Sequence, residues 1–218
     1  ENEIQPGLDG DFQLELDKLE ACGNLRVLPE TCSDGKWIEA GGRRMLNLSS
    51  NDYLGLASDK ALREEFLQTV KERDLCFSSS SSRLLTGNFP AYRELESLLA
   101  SLFGAESALV FSSGYHMNTG ILPAVTDANT LILADKLVHA SLIDGIRLSA
   151  AKCIRYRHQD YAQLENLLAK HHGEYHRIIV VTESVFSMDG DVASLDRLVE
   201  LKRRYTNVML YVDEAHGI

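Results

Sequence analysis

The sequence is short of positive charge and of long apolar runs. It carries 22 Lys and Arg against 32 Asp and Glu, which gives a formal net charge of -10. This imbalance argues against nucleic acid or an anionic membrane as the main partner. The uninterrupted apolar runs are too short to cross a bilayer. The opening residues Glu1–Glu3 have neither the basic nor the apolar region of a secretory signal. We therefore expect a soluble, cytoplasmic protein.

The sequence also lacks the cysteine spacing of a disulfide framework or a zinc site. Its four cysteines are Cys22, Cys32, Cys76 and Cys153. Because no two of them form a Cys-x-x-Cys pair, we expect reduced thiols. His172 and His176 have the spacing of helical metal ligands, but Gly173 lies between them and no acid or cysteine cluster completes a site. We therefore predict a solvated loop there and no metal site.

Three common catalytic loops are missing as well. The sequence has neither the Gly-x-Ser-x-Gly turn of many hydrolases nor the Gly-x-Gly-x-x-Gly loop of dinucleotide-binding enzymes, which argues against both classes. Asp213–His216 spells the Asp-Glu-Ala-His box of a helicase family. A helicase also needs a phosphate loop that ends in Gly-Lys-Ser or Gly-Lys-Thr, and the candidate Gly35-Lys36 is followed by Trp37. The helicase interpretation is therefore rejected.

From residue 59 onward, helical patterns alternate with short apolar runs. The pattern predicts helices at 59–73, 90–103, 115–125, 140–149, 160–171 and 194–205. It predicts strands at 108–111, 131–133, 153–156, 178–181 and 207–212. Continuous apolar strands between helices are typical of a mostly parallel sheet that is covered on both faces. The predicted fold class is therefore α/β, with helices on both faces of the sheet.

The first 58 residues show a different pattern. Residues 12–22 predict a short amphipathic helix. Gly41-Gly42 separates the apolar stretches 36–40 and 45–48, which predicts a β-hairpin. We therefore divide the chain into an N-terminal helix and hairpin segment, residues 1–58, and an α/β domain, residues 59–218.

Polar loops follow the predicted strands. They are Phe111–His116, Asp135–Ser141, Thr182–Asp191 and Val212–Gly217. In open α/β sheets, ligands bind at the carboxyl ends of the strands. Gly114, at a helix start, favours a phosphate. His139 suits stacking on a planar ligand, although a helix-capping histidine is the alternative. Each loop alone is weak, but together they indicate one ligand site.

These loops, in this order, resemble the α-oxoamine synthases, a pyridoxal-phosphate family with the type I aminotransferase fold. The resemblance covers nearly the whole chain. It rests on Ser49–Leu56, Ser82–Asn88, Ser112–Tyr115, His139–Ser141, Ser187–Asp191 and Asp213–Gly217. It implies the large, cofactor-binding domain of this fold, incomplete at its C-terminus and without the C-terminal small domain.

The resemblance also implies how the cofactor, pyridoxal 5'-phosphate, is held. Gly114 and Tyr115 match the backbone contacts to its phosphate, and His139 matches the histidine that stacks on its ring. Asp213 matches the carboxylate beside the ring nitrogen. An opposite charge there favours the protonated ring.

Two further contacts and two substrate residues follow from the same resemblance. Ser187 and His216 match the partners of the phenolic oxygen. His216 thereby joins His139 and Asp213 as the expected catalytic residues. Arg26 matches an arginine that meets the acyl substrate, and Asn51 belongs to a segment that lines the substrate pocket.

The reaction implied by the family joins an amino acid to an acyl thioester, on CoA or an acyl carrier protein, with loss of CO2. Ser113–Tyr115 and His158–Asp160 look more like the members that use L-alanine and a pimeloyl thioester to make 8-amino-7-oxononanoate for biotin synthesis. The alternative is the ligase that joins glycine to acetyl-CoA and forms 2-amino-3-ketobutyrate. Family members are dimers, so the resemblance implies a homodimer.

The family's Schiff-base lysine lies downstream of the segment that matches Asp213–Gly217. None of the eight lysines of this sequence stands in a matching position. We therefore expect this chain alone to be inactive as a synthase. A catalytically inactive remnant that binds a partner is the remaining alternative.

Overall fold

A computed structural model describes residues 8–70, 76 and 78–218. The chain divides into two compact units, Glu1–Cys76 and Phe77–Ile218. This division lies further along the chain than the sequence-based boundary at residues 58 and 59. As a result, the first predicted helix after residue 59 falls within the bounds of the first unit. The functional assignment of residues 59–218 as a cofactor-binding domain stays a prediction.

The first unit contains helix α1 and a small antiparallel sheet. Helix α1 is Leu8–Ala21, and strands β1, β2 and β3 are Thr31–Asp34, Trp37–Ala40 and Arg43–Leu46. Their order in the sheet is β1-β2-β3. Gly41 and Gly42, with φ of 55° and 71°, form the turn between β2 and β3, since glycine adopts positive φ without steric cost. The predicted hairpin is confirmed.

A second helix of this unit is shorter than predicted. Helix α2 spans Lys60–Thr69, after a 3-10 turn at Leu56–Ser58. The side chain of Asp59 caps it by accepting from the N–H of Leu62 at 3.0 Å. Val70 has an extended backbone, so the helix ends before it. The last predicted helical residues, 71–73, lie outside the described residues.

The second unit is built on a four-stranded parallel sheet. Its strands are β4 Thr130–Asp135, β5 Lys152–Tyr156, β6 Arg177–Glu183 and β7 Val208–Asp213. Their order is β5-β4-β6-β7. The helices are α3 Pro90–Leu102, α4 Gly114–Ala124, α5 Ala140–Leu148, α6 Tyr161–His171 and α7 Leu195–Arg204. The predicted α/β class with a parallel sheet is confirmed.

Successive residues of each strand pack against opposite layers of helices. On one face, Leu131 and Leu133 lie in a cluster with residues of α6 and α7. On the other, Ile132 and Ala134 lie with residues of α4 and α5. All four strand side chains are fully buried, and each large one stabilises the fold by about 1.5–3 kcal/mol. Helices therefore cover both faces, as predicted.

The predicted strand at residues 108–111 is wrong for the described structure, where this segment is irregular. Side chains, and not a neighbouring strand, form the hydrogen bonds to the backbone of Val110. The N–H of Val110 donates to Glu96 Oε1 at 2.8 Å. Its carbonyl accepts from Arg83 Nη1 at 3.2 Å. Arg83 and Glu96 are joined by two hydrogen bonds of 2.7 and 3.0 Å, so a bidentate ion pair fixes the segment.

Of the helices within residues 8–70 and 78–218, none is long and apolar enough to span a bilayer.

Candidate cofactor-binding site

Loops at the carboxyl ends of β4, β6 and β7 meet the start of α4 around a cavity of about 800 Å³. The cavity lies entirely within the second unit. All six predicted cofactor residues line it: Gly114, Tyr115, His139, Ser187, Asp213 and His216. The sequence-based expectation that these loops converge on one hollow therefore agrees with the geometry.

The start of α4 supplies the anion-binding features of the cavity. Ser113 is the N-cap, with an extended backbone, and its hydroxyl accepts from the N–H of His116 at 3.1 Å. The first N–H groups of a helix have no partner within the helix, so they attract a phosphate. The Tyr115 hydroxyl donates to Asp144 Oδ2 at 3.1 Å. This hydrogen bond raises the pKa of Tyr115 and anchors α4 to α5.

His139 combines the two roles that the sequence left open. It is the N-cap of α5: its Nδ1 accepts from the N–H of Ser141 at 3.2 Å and lies 2.7 Å from Ser141 Oγ. Its ring is nevertheless exposed at the cavity. Capping therefore fixes the orientation of the ring and leaves it accessible to a ligand.

Asp213 is the last residue of β7 and is only partly buried. Its Oδ1 accepts from the N–H of Ala215 at 3.0 Å, and its Oδ2 accepts from Asn118 Nδ2 at 3.0 Å. Two donors thus hold the carboxylate in one orientation. His216 lies three residues after Asp213, lines the same cavity and is partly buried.

Glu183 is a site residue that the sequence analysis missed. It ends β6, pairs in register with Asp213, and is only 3% exposed. One oxygen accepts from the backbone N–H of His139. Burial raises the pKa of the Glu183 carboxyl, and the neighbouring charge of Asp213 raises it further, against the lowering effect of backbone N–H donors. Its place at the end of a buried strand was the available signal.

The loop that carries Ser187 is tied to the end of β4 through His158. His158 Nδ1 lies 2.9 Å from Oδ1 of the buried Asp135, and Nε2 lies 2.9 Å from Asp191 Oδ2. Burial lowers the pKa of His158, but the hydrogen bonds to both carboxylates outweigh it, so the net shift is upward. Residues 187–189 form a turn, and Gly190 follows it with φ 75°.

The two predicted substrate residues lie in the other unit. Arg26 follows α1 and is exposed, and Asn51 follows β3 and is also exposed. Asn51 Oδ1 accepts from the hydroxyl of Tyr53 at 3.4 Å. Their roles toward a substrate stay predictions.

The family described as aminotransferase class I and II matches residues 43–218. The chain belongs to this family. The match begins at β3 and includes every element of the second unit, so it covers the cavity and all six residues that line it as predicted.

Curated relatives match almost the whole chain. A protein of Glaesserella parasuis serovar 5 named "Putative 8-amino-7-oxononanoate synthase" is 61% identical over 208 residues, which are 95% of this chain and 54% of the relative. A protein of the same name from Haemophilus influenzae strain Rd is 58% identical over 207 residues, with the same coverage. The chain therefore spans about half the length of the curated relatives that it matches.

Solved structures agree on the fold. A serine palmitoyltransferase from S. paucimobilis, solved with a bound PLP–myriocin aldimine, has a TM-score of 0.82 and 27% identity, over 98% of this chain and 54% of that one. The 8-amino-7-oxononanoate synthase of Francisella tularensis has a TM-score of 0.59 and 30% identity, over 76% of this chain and 44% of that one. The family and these structures indicate pyridoxal 5'-phosphate as the cofactor.

The residues of the cavity fit such a cofactor. A helix N-terminus suits its phosphate, an exposed imidazole ring suits stacking, and an oriented carboxylate suits a protonated ring nitrogen. Among the described residues that line the cavity there is no lysine. The part of the chain that the structure describes therefore offers contacts for noncovalent binding.

Proposed function

We propose that this chain is the cofactor-binding part of a pyridoxal-phosphate acyltransferase. The enzyme would condense an amino acid with an acyl thioester and release CO2. The observation that carries this proposal is the convergence of the six cofactor residues on one cavity. It is supported by relatives that are 58–61% identical and are named for the synthesis of 8-amino-7-oxononanoate.

Each cavity residue has a defined part in this proposal. The N–H groups of Gly114 and Tyr115 bind the phosphate, and the ring of His139 packs against the cofactor ring. Asp213 holds a proton at the ring nitrogen, because its negative charge favours the cationic form. Ser187 and His216 contact the phenolic oxygen. When bound, the cofactor supplies an electron sink for the carbanion chemistry of an amino acid.

The names of the relatives favour L-alanine and a pimeloyl thioester as substrates. The carrier of the acyl group is CoA or an acyl carrier protein. Arg26 would meet the acyl substrate, and Asn51 would belong to the segment that lines the substrate pocket. A serine palmitoyltransferase matches the fold of this chain with a TM-score of 0.82, although the two sequences are only 27% identical. L-Serine with a long-chain acyl thioester is therefore the second candidate for the substrates.

The proposal extends to the assembly and the location of the protein. By similarity to its family, we propose a homodimer. We further propose that it works in the cytoplasm, in keeping with the acidic composition and the lack of a spanning helix in the described part.

Titration of this chain with pyridoxal 5'-phosphate, followed by the absorbance of the cofactor, tests the proposal. We expect saturable binding that borohydride does not make covalent. Asp213→Asn should weaken binding roughly tenfold or more, since it removes the charge that faces the ring nitrogen. Asp189→Asn is the matched control, because Asp189 is an exposed acid on the neighbouring loop and is not part of the cavity wall.

The condensation itself is measured on the intact relative from G. parasuis with alanine or serine and each acyl thioester. The first candidate is supported if CO2 is released with alanine and the pimeloyl thioester and with no other pair of substrates. Absence of cofactor binding by this chain would refute the proposal and favour an inactive remnant that binds a partner.

A further inference from the structure

Asn118 of α4 lies at the centre of a buried polar network behind the cavity. Its side chain is 1% exposed. Its Nδ2 donates to Asp213 Oδ2 at 3.0 Å and to Ser141 Oγ at 2.9 Å, and its Oδ1 accepts from the Tyr211 hydroxyl at 2.8 Å. One amide thus joins the strand that carries Asp213 to the helix that follows His139.

Asp213 dictates which way this amide faces. A carboxylate only accepts hydrogen bonds, so the NH2 group of Asn118 must face it, and the opposite orientation would set two acceptors together. The amide oxygen then requires a donor, which is Tyr211. Burial, together with the charge of Asp213, raises the pKa of Tyr211 to about 12. Tyr211 therefore keeps its proton and donates.

The same orientation determines where the proton of Ser141 goes. The second hydrogen of Asn118 Nδ2 occupies a lone pair of Ser141 Oγ. The Ser141 hydroxyl is then free to donate to His139 Nδ1, 2.7 Å away. The backbone N–H of Ser141 donates to the same Nδ1 at 3.2 Å. Because Nδ1 accepts twice, the proton of the neutral ring lies on Nε2.

We infer that Asn118 is a positioning residue that couples the ionised carboxylate of Asp213 to the tautomer of His139, through Ser141. The coupling presents the cofactor with an oriented carboxylate from β7 and, in the neutral form of His139, with an imidazole whose proton is on Nε2. Its relevance to catalysis rests on the proposed function. The hydrogen-bond relay from Asp213 through Asn118 and Ser141 to His139 is present in the protein without cofactor.

The tautomer of His139 is measured directly from the two ring-nitrogen chemical shifts of the 15N-histidine-labelled chain without cofactor. His139→Gln assigns the signals among the seven histidines. In the wild-type chain we expect the pattern of a proton on Nε2. Asn118→Leu keeps the side-chain volume and removes every polar contact. It should lower the ratio of the Nε2-protonated tautomer to the Nδ1-protonated tautomer roughly fivefold, which is the change expected for the loss of one neutral hydrogen bond.

Asp213→Asn gives a second, milder test if Asn118→Leu does not fold. A neutral amide at position 213 donates as well as accepts, so it no longer dictates the orientation of Asn118. The minor tautomer of His139 should therefore appear, although the hydrogen bonds of the described residues connect Asp213 to that ring only through Asn118 and Ser141. A histidine that merely caps α5 would show no response to this substitution.

Ser112→Ala is the matched control. It removes a serine hydroxyl 2.9 Å from another histidine nitrogen, His116 Nδ1, and should shift the signals of His116 and not those of His139. Wild-type His139 with its proton on Nδ1 would overturn the inference. So would an unchanged tautomer ratio in Asp213→Asn or in folded Asn118→Leu.

Cofactor titration separates this inference from the proposed function. Asn118→Leu should raise the dissociation constant for pyridoxal 5'-phosphate roughly tenfold, because Asp213 loses one of its two orienting donors. If the wild-type chain does not bind the cofactor, the proposed function fails, while the tautomer result still decides whether the relay exists.

Discussion

Two glycines within neighbouring helices should respond to alanine substitution with opposite signs. A Cβ at Gly145 of α5 would lie 2.3 Å from the backbone oxygen of Asn118 and 3.0 Å from Leu122 Cδ1. A Cβ at Gly120 of α4 would meet nothing nearer than Phe111 Cε1, at 3.7 Å, which is ordinary contact. The first site has no room for a methyl group and the second has.

The magnitudes follow from two opposing effects. Alanine is favoured over glycine within a helix by about 0.5–1 kcal/mol. Gly120→Ala should therefore raise the free energy of unfolding by about that amount. Gly145→Ala gains the same benefit, but forcing α4 and α5 apart costs about 1–3 kcal/mol. We expect a net loss of up to about 2.5 kcal/mol for Gly145→Ala, with a fall in Tm of roughly 2–4 °C for each kcal/mol.

Urea unfolding followed by far-UV circular dichroism measures both variants. Trp37, the only tryptophan, lies in the first unit, so its fluorescence provides an internal reference that neither substitution should alter. A Gly145→Ala midpoint at or above that of the wild type would refute the reasoning. Equal losses in both variants would refute it too, since they would show that backbone freedom and not the helix contact sets the outcome.

Two further predictions concern the ion pairs outside the cavity. Because the folded-state pKa of His158 is raised, its stabilising effect is fully present below about pH 6.5 and is lost as pH rises through the folded-state value. His158→Gln should therefore reduce the fall in Tm between about pH 6 and about pH 9, and an unchanged fall would contradict this. Arg83→Lys should lower Tm because one ammonium cannot replace the two hydrogen bonds to Glu96 and the contact to Val110. Arg147→Lys is the control and should leave Tm unchanged, since Arg147 is exposed and its pair with Asp144 lies at the surface.

The elements that the sequence predicted best are those whose burial is continuous. Strand β4 is buried at every position and β6 at every position except Arg177, so both appear as continuous apolar runs between helices. Strand β1 was not predicted, because its residues Thr31–Asp34 are all exposed and mostly polar. Its place in the sheet comes from pairing with β2, and local composition does not report such pairing.

The limits of prediction at the cavity have a similar cause. Residues in recognisable loops, such as His139 and Asp213, were predicted, and the structure brings them to the same cavity. Glu183 and Asn118 were not, because Glu183 ends an ordinary buried strand and Asn118 sits inside an ordinary helix pattern. Their importance depends on contacts between residues far apart in sequence: Asn118 and Asp213 are joined across 95 positions. Apolar periodicity carries no information about such a contact.

The register of β6 and β7 has one more consequence. By pairing Glu183 with Asp213, it concentrates acidic groups on one part of the cavity wall, while the start of α4 offers the partial positive charge of a helix N-terminus on another. A dipolar molecule with a cationic ring and an anionic tail would thus experience a torque on entry. Long-range electrostatics would then select its direction of approach before any individual hydrogen bond forms.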